Sequence, residues 1–333
     1  MKIKNINTDR KIFIIAEIGN NHEGSLSLAK KMIKAAKNSG ADAVKFQTIV
    51  PEKLVEEEDI KRLNQLRKFE LSIANYIQLK KFCKKIDIIF LSTPFDLNSV
   101  DKLKNLLPAY KISSGDNNYF ELIDKILETK KPVIISTGLS SNKEIKNLVN
   151  YFKKNNQFKS KLKENLTLLH CVSKYPTPLN EAYLENINYL KKLDCTVGYS
   201  DHTQGIEACI TAVVMGARVI EKHFTINNNF SKFRDHQLSA NPIEFKKMVS
   251  LIRNIEILIS NNRYDLNDKN TINLRRSARY TMNLKAESIL TEDIIKWVRP
   301  GDGIKNSNKN KILGKKLKVN VKKNQLVETK HLN

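Results

Sequence analysis

The 333-residue chain predicts a (β/α)₈ barrel followed by a small C-terminal domain. Eight runs rich in β-branched and aromatic residues recur over roughly 250 positions, with helix-like segments between them. Each run turns polar or reaches glycine at its last residues, as strands do when their C-terminal ends form a barrel mouth. An open doubly wound sheet is the alternative, but no Gly-x-Gly-x-x-Gly follows any of the runs.

Residues 12–17 (IFIIAE) read as a buried strand ending in the Glu17 carboxylate, and 18–24 as a polar turn. A helix follows, with Ser25 or Ser27 as its cap and Leu28, Met32, Ile33 and Ala36 on one face. Strand two spans 42–48, where alternation puts Lys45 and Gln47 on the same side. The charged stretch 50–85 is expected to be helical. Strands three to six read as 88–95, 109–115, 132–138 and 166–171. The last two, 197–203 and 219–224, flank a crossover helix over 204–216 with Ile206, Cys209, Ile210, Val213 and Val214 at helical spacing. These two strands are therefore parallel neighbours, with His202 and His223 side by side at their rims.

Two imidazoles at one level, with Asp201 and Glu221 nearby, can hold a divalent metal and leave positions for substrate. Two buried histidines satisfied by neighbours is the other reading. A barrel also brings Glu17, Lys45, Gln47, Thr93, Lys111, Ser114, Ser136 and Ser200 to the same mouth. Ammonium groups and short hydroxyls replace the hydration of phosphate oxygens, so this set is expected to form an anion site of phosphate size.

Hydrophobic residues make up 41% of the chain, enough for a substantial core. Cys83, Cys171, Cys195 and Cys209 show neither close pairing nor metal-ligand spacing, and read as reduced packing residues. The apolar run 12–16 is too short for a signal peptide and nothing later approaches a membrane span, so a cytoplasmic protein is expected. A formal charge of +23 raises a nucleic-acid partner as an alternative, strongest for the basic stretch 305–323. The lysines are nevertheless spread over nearly every helix among Glu and Asp, which fits solvated faces and argues against that partner. A metal-dependent barrel hydrolase is a further alternative.

The series AEIGNNHEGS (16–25), KFQT (45–48), LSTPF (91–95), YKISSG (110–115), STG (136–138), YPTP (175–178), SDHT (200–203) and EKHF (221–224) resembles the ordered motifs of the sialic acid synthase family. The resemblance runs from about Ile12 to the C-terminus. It implies condensation of phosphoenolpyruvate with the open-chain aldehyde of an N-acylated hexosamine, giving a nine-carbon 2-keto-3-deoxy sugar acid and phosphate with the help of a divalent metal. By matching motif, Lys45, Thr93, Lys111, Ser114, Ser136 and Ser200 would hold phosphoenolpyruvate. His202 and His223 would bind Mn²⁺ or Mg²⁺. Glu17, Gln47, Tyr175 and Asp235 would meet the sugar or assist proton transfer.

Residues 1–260 are thus expected to form the barrel, 261–273 a polar linker, and 274–333 the family's antifreeze-like domain, which the motifs LRRS (274–277), ILTEDI (289–294), WVRPGDGI (297–304) and ILGK (312–315) resemble. In the family this domain reaches across a homodimer and offers an arginine to the partner's active site. Arg299, set between Trp297-Val298 and Pro300-Gly301, matches it. Four positions depart from the family pattern: Phe233-Arg234 precedes Asp235 in place of Gly-Pro, Asp116 replaces a glutamate, and Ser173 replaces an asparagine. The segment between strands two and three also looks shorter than usual. All of these departures bear on the sugar, so the acceptor stays open between N-acetylmannosamine and a 6-deoxy-diacetamido sugar of the legionaminic or pseudaminic type.

Overall fold

A computed structural model of the chain describes residues 1–259 and 268–333. Two compact units divide it, Met1–Ser260 and Asn261–Asn333.

The first unit holds eight parallel strands: β1 (Phe13–Gly19), β2 (Ala43–Thr48), β3 (Ile89–Pro94), β4 (Tyr110–Ile112), β5 (Val133–Ser136), β6 (Leu166–His170), β7 (Thr196–Asp201) and β8 (Val219–His223). Ladder hydrogen bonds run in the order β3-β2-β1-β8-β7-β6-β5-β4, and the two ends, β3 and β4, lie against each other to close the ring. The predicted barrel is therefore the observed one. Strand alternation sorts its side chains into two layers. Ile14, Ala16, Val44, Phe46, Phe90 and Ile135 face outward and pack against Leu28, Met32, Leu79 and Val100 of the surrounding helices. Phe13, Ile15, Ala43, Leu91, Ile134, Leu169 and Val219 face inward and fill the barrel below its mouth, joined by Met1 and Ile3 of an N-terminal ribbon. Fully burying each such side chain contributes on the order of 1.5–3 kcal/mol, so the lower half of the barrel is a packed core.

The helices start and stop where local chemistry dictates. Ser25, not Ser27, caps Leu26–Asn38, its hydroxyl accepting from the Leu28 amide at 3.2 Å. The stretch expected to be helical over 50–85 is two helices, Ile60–Phe69 and Ile73–Lys85, because Glu70 turns extended and Ser72 caps the second. The crossover helix is shorter than expected, Glu207–Val214, bounded by Gly205 and Gly216 at φ +80° and +109°. Only glycine takes these values without strain.

In the second unit, strands β9 (Ser277–Tyr280) and β10 (Ile295–Val298) pair antiparallel around a small core of Ala278, Tyr280, Leu290, Ile312, Leu317 and Val327. Residue 260, the last of the expected barrel, and residues 261–267 of the expected linker lie outside the described residues. Its remainder is not irregular: Lys269–Leu274 is a short helix capped by Asp268, whose carboxylate accepts from the Asn270 amide at 3.0 Å. Arg299 follows β10 and is exposed.

Candidate active site

Register brings the polar strand ends to one level. His223 stands opposite Glu17, Glu17 opposite Lys45, Gln47 opposite Thr93, and Glu221 opposite Ser200. These residues share a cavity of about 310 Å³ at the barrel mouth with Lys111, Ser114, Ser136, Tyr175 and His202. Asp235 does not line it, although it lies close enough for its charge to act on His223. Arg299 belongs to the other unit.

The expected anion site carries two buried carboxylates as well as two ammonium groups. Lys45 Nζ lies 2.8 Å from Glu17 Oε2 and 3.7 Å from Glu221 Oε2, and donates to Thr93 Oγ1 at 3.2 Å. Lys111 Nζ donates to Ser136 Oγ at 2.6 Å and lies 3.7 Å from Glu221 Oε1. Ser200 Oγ donates to Glu221 Oε1 at 2.9 Å. Burial opposes ionisation of Glu221, but Lys111, Lys45 and the Ser200 hydrogen bond prevail and hold its pKa at about 2. Burial pushes the Glu17 carboxyl the other way, upward, with Lys45 opposing and Glu221 adding to the rise. Burial lowers the Lys111 ammonium, while at Lys45 the Glu17 and Glu221 carboxylates outweigh burial and raise the pKa.

The two imidazoles lie beside this array with ring centroids 5.5 Å apart. His202 Nδ1 is 2.7 Å from the Val172 carbonyl. A carbonyl only accepts, so Nδ1 carries the proton and Nε2 keeps its lone pair. His223 Nδ1 is buried without a hydrogen-bond partner among the described residues. Burial, then the neighbouring His223, pushes His202 down to about 4, and burial likewise lowers His223, so both rings are neutral near pH 7. Among the described residues no third His, Cys, Asp or Glu completes a ligand cluster. Two neutral nitrogen donors beside an open cavity fit a divalent ion that takes its remaining ligands from water and substrate. The Tyr175 ring packs 4.2 Å from that of His202, and the Arg234 guanidinium covers Tyr175 at 4.7 Å.

Asp201 does not join the imidazoles. It points to the opposite side of the sheet, where Lys222 lies 2.7 Å away, because it alternates with Ser200 and His202 along β7. Sequence reasoning also missed the structural part played by Glu221, which faces inward at the centre of the charge array. The same alternation, counted back from His223, is the signal that finds it. Asp116 is held within its own turn by the Ser113 hydroxyl at 2.5 Å. Ser173 lines the cavity and a neighbouring one of about 380 Å³.

A closed parallel barrel with ionised, hydroxyl and imidazole groups at its C-terminal rim has the layout of a barrel enzyme's active site. Residues 32–264 match the NeuB family and residues 275–333 the SAF domain. The N,N'-diacetyllegionaminic acid synthase of Campylobacter jejuni is 38% identical over 96% of this chain and 99% of its own length. The pseudaminic acid synthase of the same species is 36% identical over 97% of both. The crystal structure of an N-acetylneuraminic acid (sialic acid) synthetase from Leptospira borgpetersenii, in complex with citrate, covers 79% of this chain and 91% of its own with a TM-score of 0.73 and 35% identity. The chain belongs to the NeuB family and carries an SAF domain at its C-terminal end. The resemblance read from its motifs is borne out.

Proposed function

We propose that this enzyme condenses phosphoenolpyruvate with the open-chain form of an N-acylated amino sugar, either N-acetylmannosamine or a 6-deoxy-diacetamido sugar, to give a nine-carbon 2-keto-3-deoxy acid and phosphate. The observation that carries this reading is the single cavity in which two neutral imidazoles adjoin a lysine, hydroxyl and carboxylate array. The names of the NeuB relatives support the substrate classes.

In this reading Lys45, Lys111, Thr93, Ser114, Ser136 and Ser200 bind the phosphate and carboxylate of phosphoenolpyruvate. C3 of that substrate attacks the acceptor aldehyde, water adds at C2, and the tetrahedral intermediate expels phosphate with cleavage of the C–O bond. Gln47 and Tyr175 orient the sugar, with Asp235 at the edge of the site. Glu17, whose carboxyl retains a proton more readily than an exposed one, transfers protons beside the reacting carbons. His202 and His223 would hold Mn²⁺ or Mg²⁺, which supplies Lewis-acid polarisation of the aldehyde. Charge stabilisation carries the chemistry, so no protein nucleophile is required.

Arg299 completes the site from a second copy of the chain in a domain-swapped homodimer. Its planar fork of donors suits the acyl carbonyl and hydroxyl oxygens of the sugar. Mixing an Arg299→Ala chain with a His202→Ala chain is expected to restore part of the rate. A mixture as inactive as its parents, despite verified subunit exchange, removes the cross-chain element. Among the described residues no helix is long and apolar enough to cross a membrane. The proposal includes a cytoplasmic location, where phosphoenolpyruvate is available.

The reading is tested with purified protein, Mn²⁺, phosphoenolpyruvate and a panel of N-acyl aldoses. Phosphate is expected only when the matching aldose is present. Turnover of an aldose without phosphoenolpyruvate, or no phosphate on any aldose, overturns it.

A further inference from the structure

On the outer face of the two strands that carry the imidazoles lies a buried ion pair that the reaction does not touch. Asp201 and Lys222 are register partners on the parallel strands β7 and β8, and their relative exposures are 0% and 1%. Lys222 Nζ lies 2.7 Å from Asp201 Oδ2. Each member immediately precedes one of the histidines in the chain, His202 after Asp201 and His223 after Lys222. Alternation therefore turns the pair away from the cavity and the two rings into it.

The pair also grips the backbone beyond His202. The Thr203 amide donates to Asp201 Oδ1 at 2.8 Å, and Lys222 Nζ donates to the Thr203 carbonyl at 2.5 Å. The Tyr199 hydroxyl and the Cys209 thiol donate to Asp201 at 3.0 and 3.3 Å. Asp201 thus accepts two hydrogen bonds on each oxygen. On the inner side the His202 ring is held at Nδ1 by the Val172 carbonyl, and the His202 carbonyl accepts from the Thr177 amide at 2.9 Å.

A slip of one residue between neighbouring strands sends every side chain of one of them to the opposite face. Here it would withdraw an imidazole and separate a buried lysine from its carboxylate. Apolar side chains could fill the same space, but they would tolerate a slip that the ion pair does not.

We infer that Asp201 and Lys222 are positioning residues for the metal-binding imidazoles, locking the register of β7 and β8 so that His202 and His223 meet at one level. The inference rests on the assignment of those histidines as metal ligands.

Full-length protein is titrated with Mn²⁺ alone and followed by electron paramagnetic resonance. The Asp201→Leu/Lys222→Met double variant exchanges the pair for apolar side chains and is expected to melt within a few degrees of wild type, because such exchanges of buried pairs are often neutral in stability. Its Mn²⁺ affinity is expected to fall about 10–100-fold, while KM for phosphoenolpyruvate stays within about threefold. Lys222→Arg, which keeps the charge, should recover part of the affinity. If the double variant does not fold, Tyr199→Phe is read in its place, with an expected loss of about threefold in Mn²⁺ affinity for one missing hydrogen bond. Wild-type affinity in the folded variant overturns the inference alone. Absence of saturable Mn²⁺ binding by the wild type overturns the metal assignment beneath it.

Discussion

Two sets of buried charges lie on opposite faces of the same strands, and they are finished differently. On the outer face Asp201 accepts from Lys222, the Thr203 amide, Tyr199 and Cys209, so both of its oxygens are fully engaged. On the inner face Glu221 Oε2 and His223 Nδ1 are buried without a hydrogen-bond partner among the described residues, and the contacts of Glu221 to Lys45 and Lys111 are loose at 3.7 Å. A buried polar group left unsatisfied costs about 1–3 kcal/mol. Neither oxygen of Asp201 has capacity left for a ligand. The inner array is held short of satisfaction by a fold that is stable enough to carry it, as expected where charge and hydrogen-bonding capacity are reserved for substrate.

The contrast breaks most sharply at the imidazoles. His202→Ala or His223→Ala is expected to lower turnover by at least about a thousandfold, as loss of one of the two proposed metal ligands would, with the melting temperature little changed. Steady-state phosphate release and calorimetry on the same samples decide it. A variant that loses its fold along with its activity would place the inner face in the same category as the outer one.

The opposite outcome is expected on the outer face. Asp201→Ala leaves Lys222 buried without its partner and should cost about 3–5 kcal/mol of stability. Chemical denaturation measures this directly, and a loss under about 1 kcal/mol would mean that the pair is not the satisfied anchor its geometry describes. Lys111→Ala provides the control on the inner face. It relieves burial of an ammonium but removes one of the groups that hold Glu221 ionised, so with Lys45 and Ser200 still in place a smaller stability loss than that of Asp201→Ala is expected, while KM for phosphoenolpyruvate rises.

Much of this division was legible in the chain. The eight strands, the polar rim and the adjacency of His202 and His223 follow from hydrophobic runs that turn polar at their ends, and the structure keeps each of them. Facing was harder to read. Asp201 and Glu221 both sit beside a histidine motif, yet one lies an odd step and the other an even step from its inward histidine, and period two alone separates them. The charge array formed by Glu17, Lys45, Lys111 and Glu221 depends on register between strands distant in sequence, which no local pattern encodes. The break between Phe69 and Ile73 escaped because serine caps and extended residues inside a charged stretch leave the overall helical composition unchanged.

A third buried group sharpens the comparison through pH. His22 lies in the turn after β1, with its Nε2 unpartnered among the described residues, and burial pushes it from 6.5 down to about 4. The folded state then binds fewer protons than the unfolded chain between those two values, so stability is fully present above pH 6.5 and is lost as pH falls toward 4. The expected loss from this residue is about 3 kcal/mol. Denaturant titrations across this window on wild type and His22→Gln measure it. Equal pH slopes in the two proteins would remove His22 as the source.

The smallest effect expected is a proton count. Two carboxylates and two amino groups make up the inner array of Glu17, Lys45, Lys111 and Glu221, so its formal charges balance before any substrate arrives. In the proposed reaction phosphoenolpyruvate would add a phosphate and a carboxylate to that layer, which penalises every carboxylate already there. Glu221 is held down at about 2 by Lys111, Lys45 and Ser200, whereas Glu17 is already pushed upward by burial, so Glu17 is the group that takes up the proton. Binding near pH 7 should therefore consume up to about one proton, read as the dependence of the calorimetric binding enthalpy on the ionisation enthalpy of the buffer. Glu17→Gln should abolish that dependence while preserving binding. A buffer-independent enthalpy in the wild type would mean that the two lysines absorb the incoming charge without help, and that the inner array is nearer to satisfied than its geometry indicates.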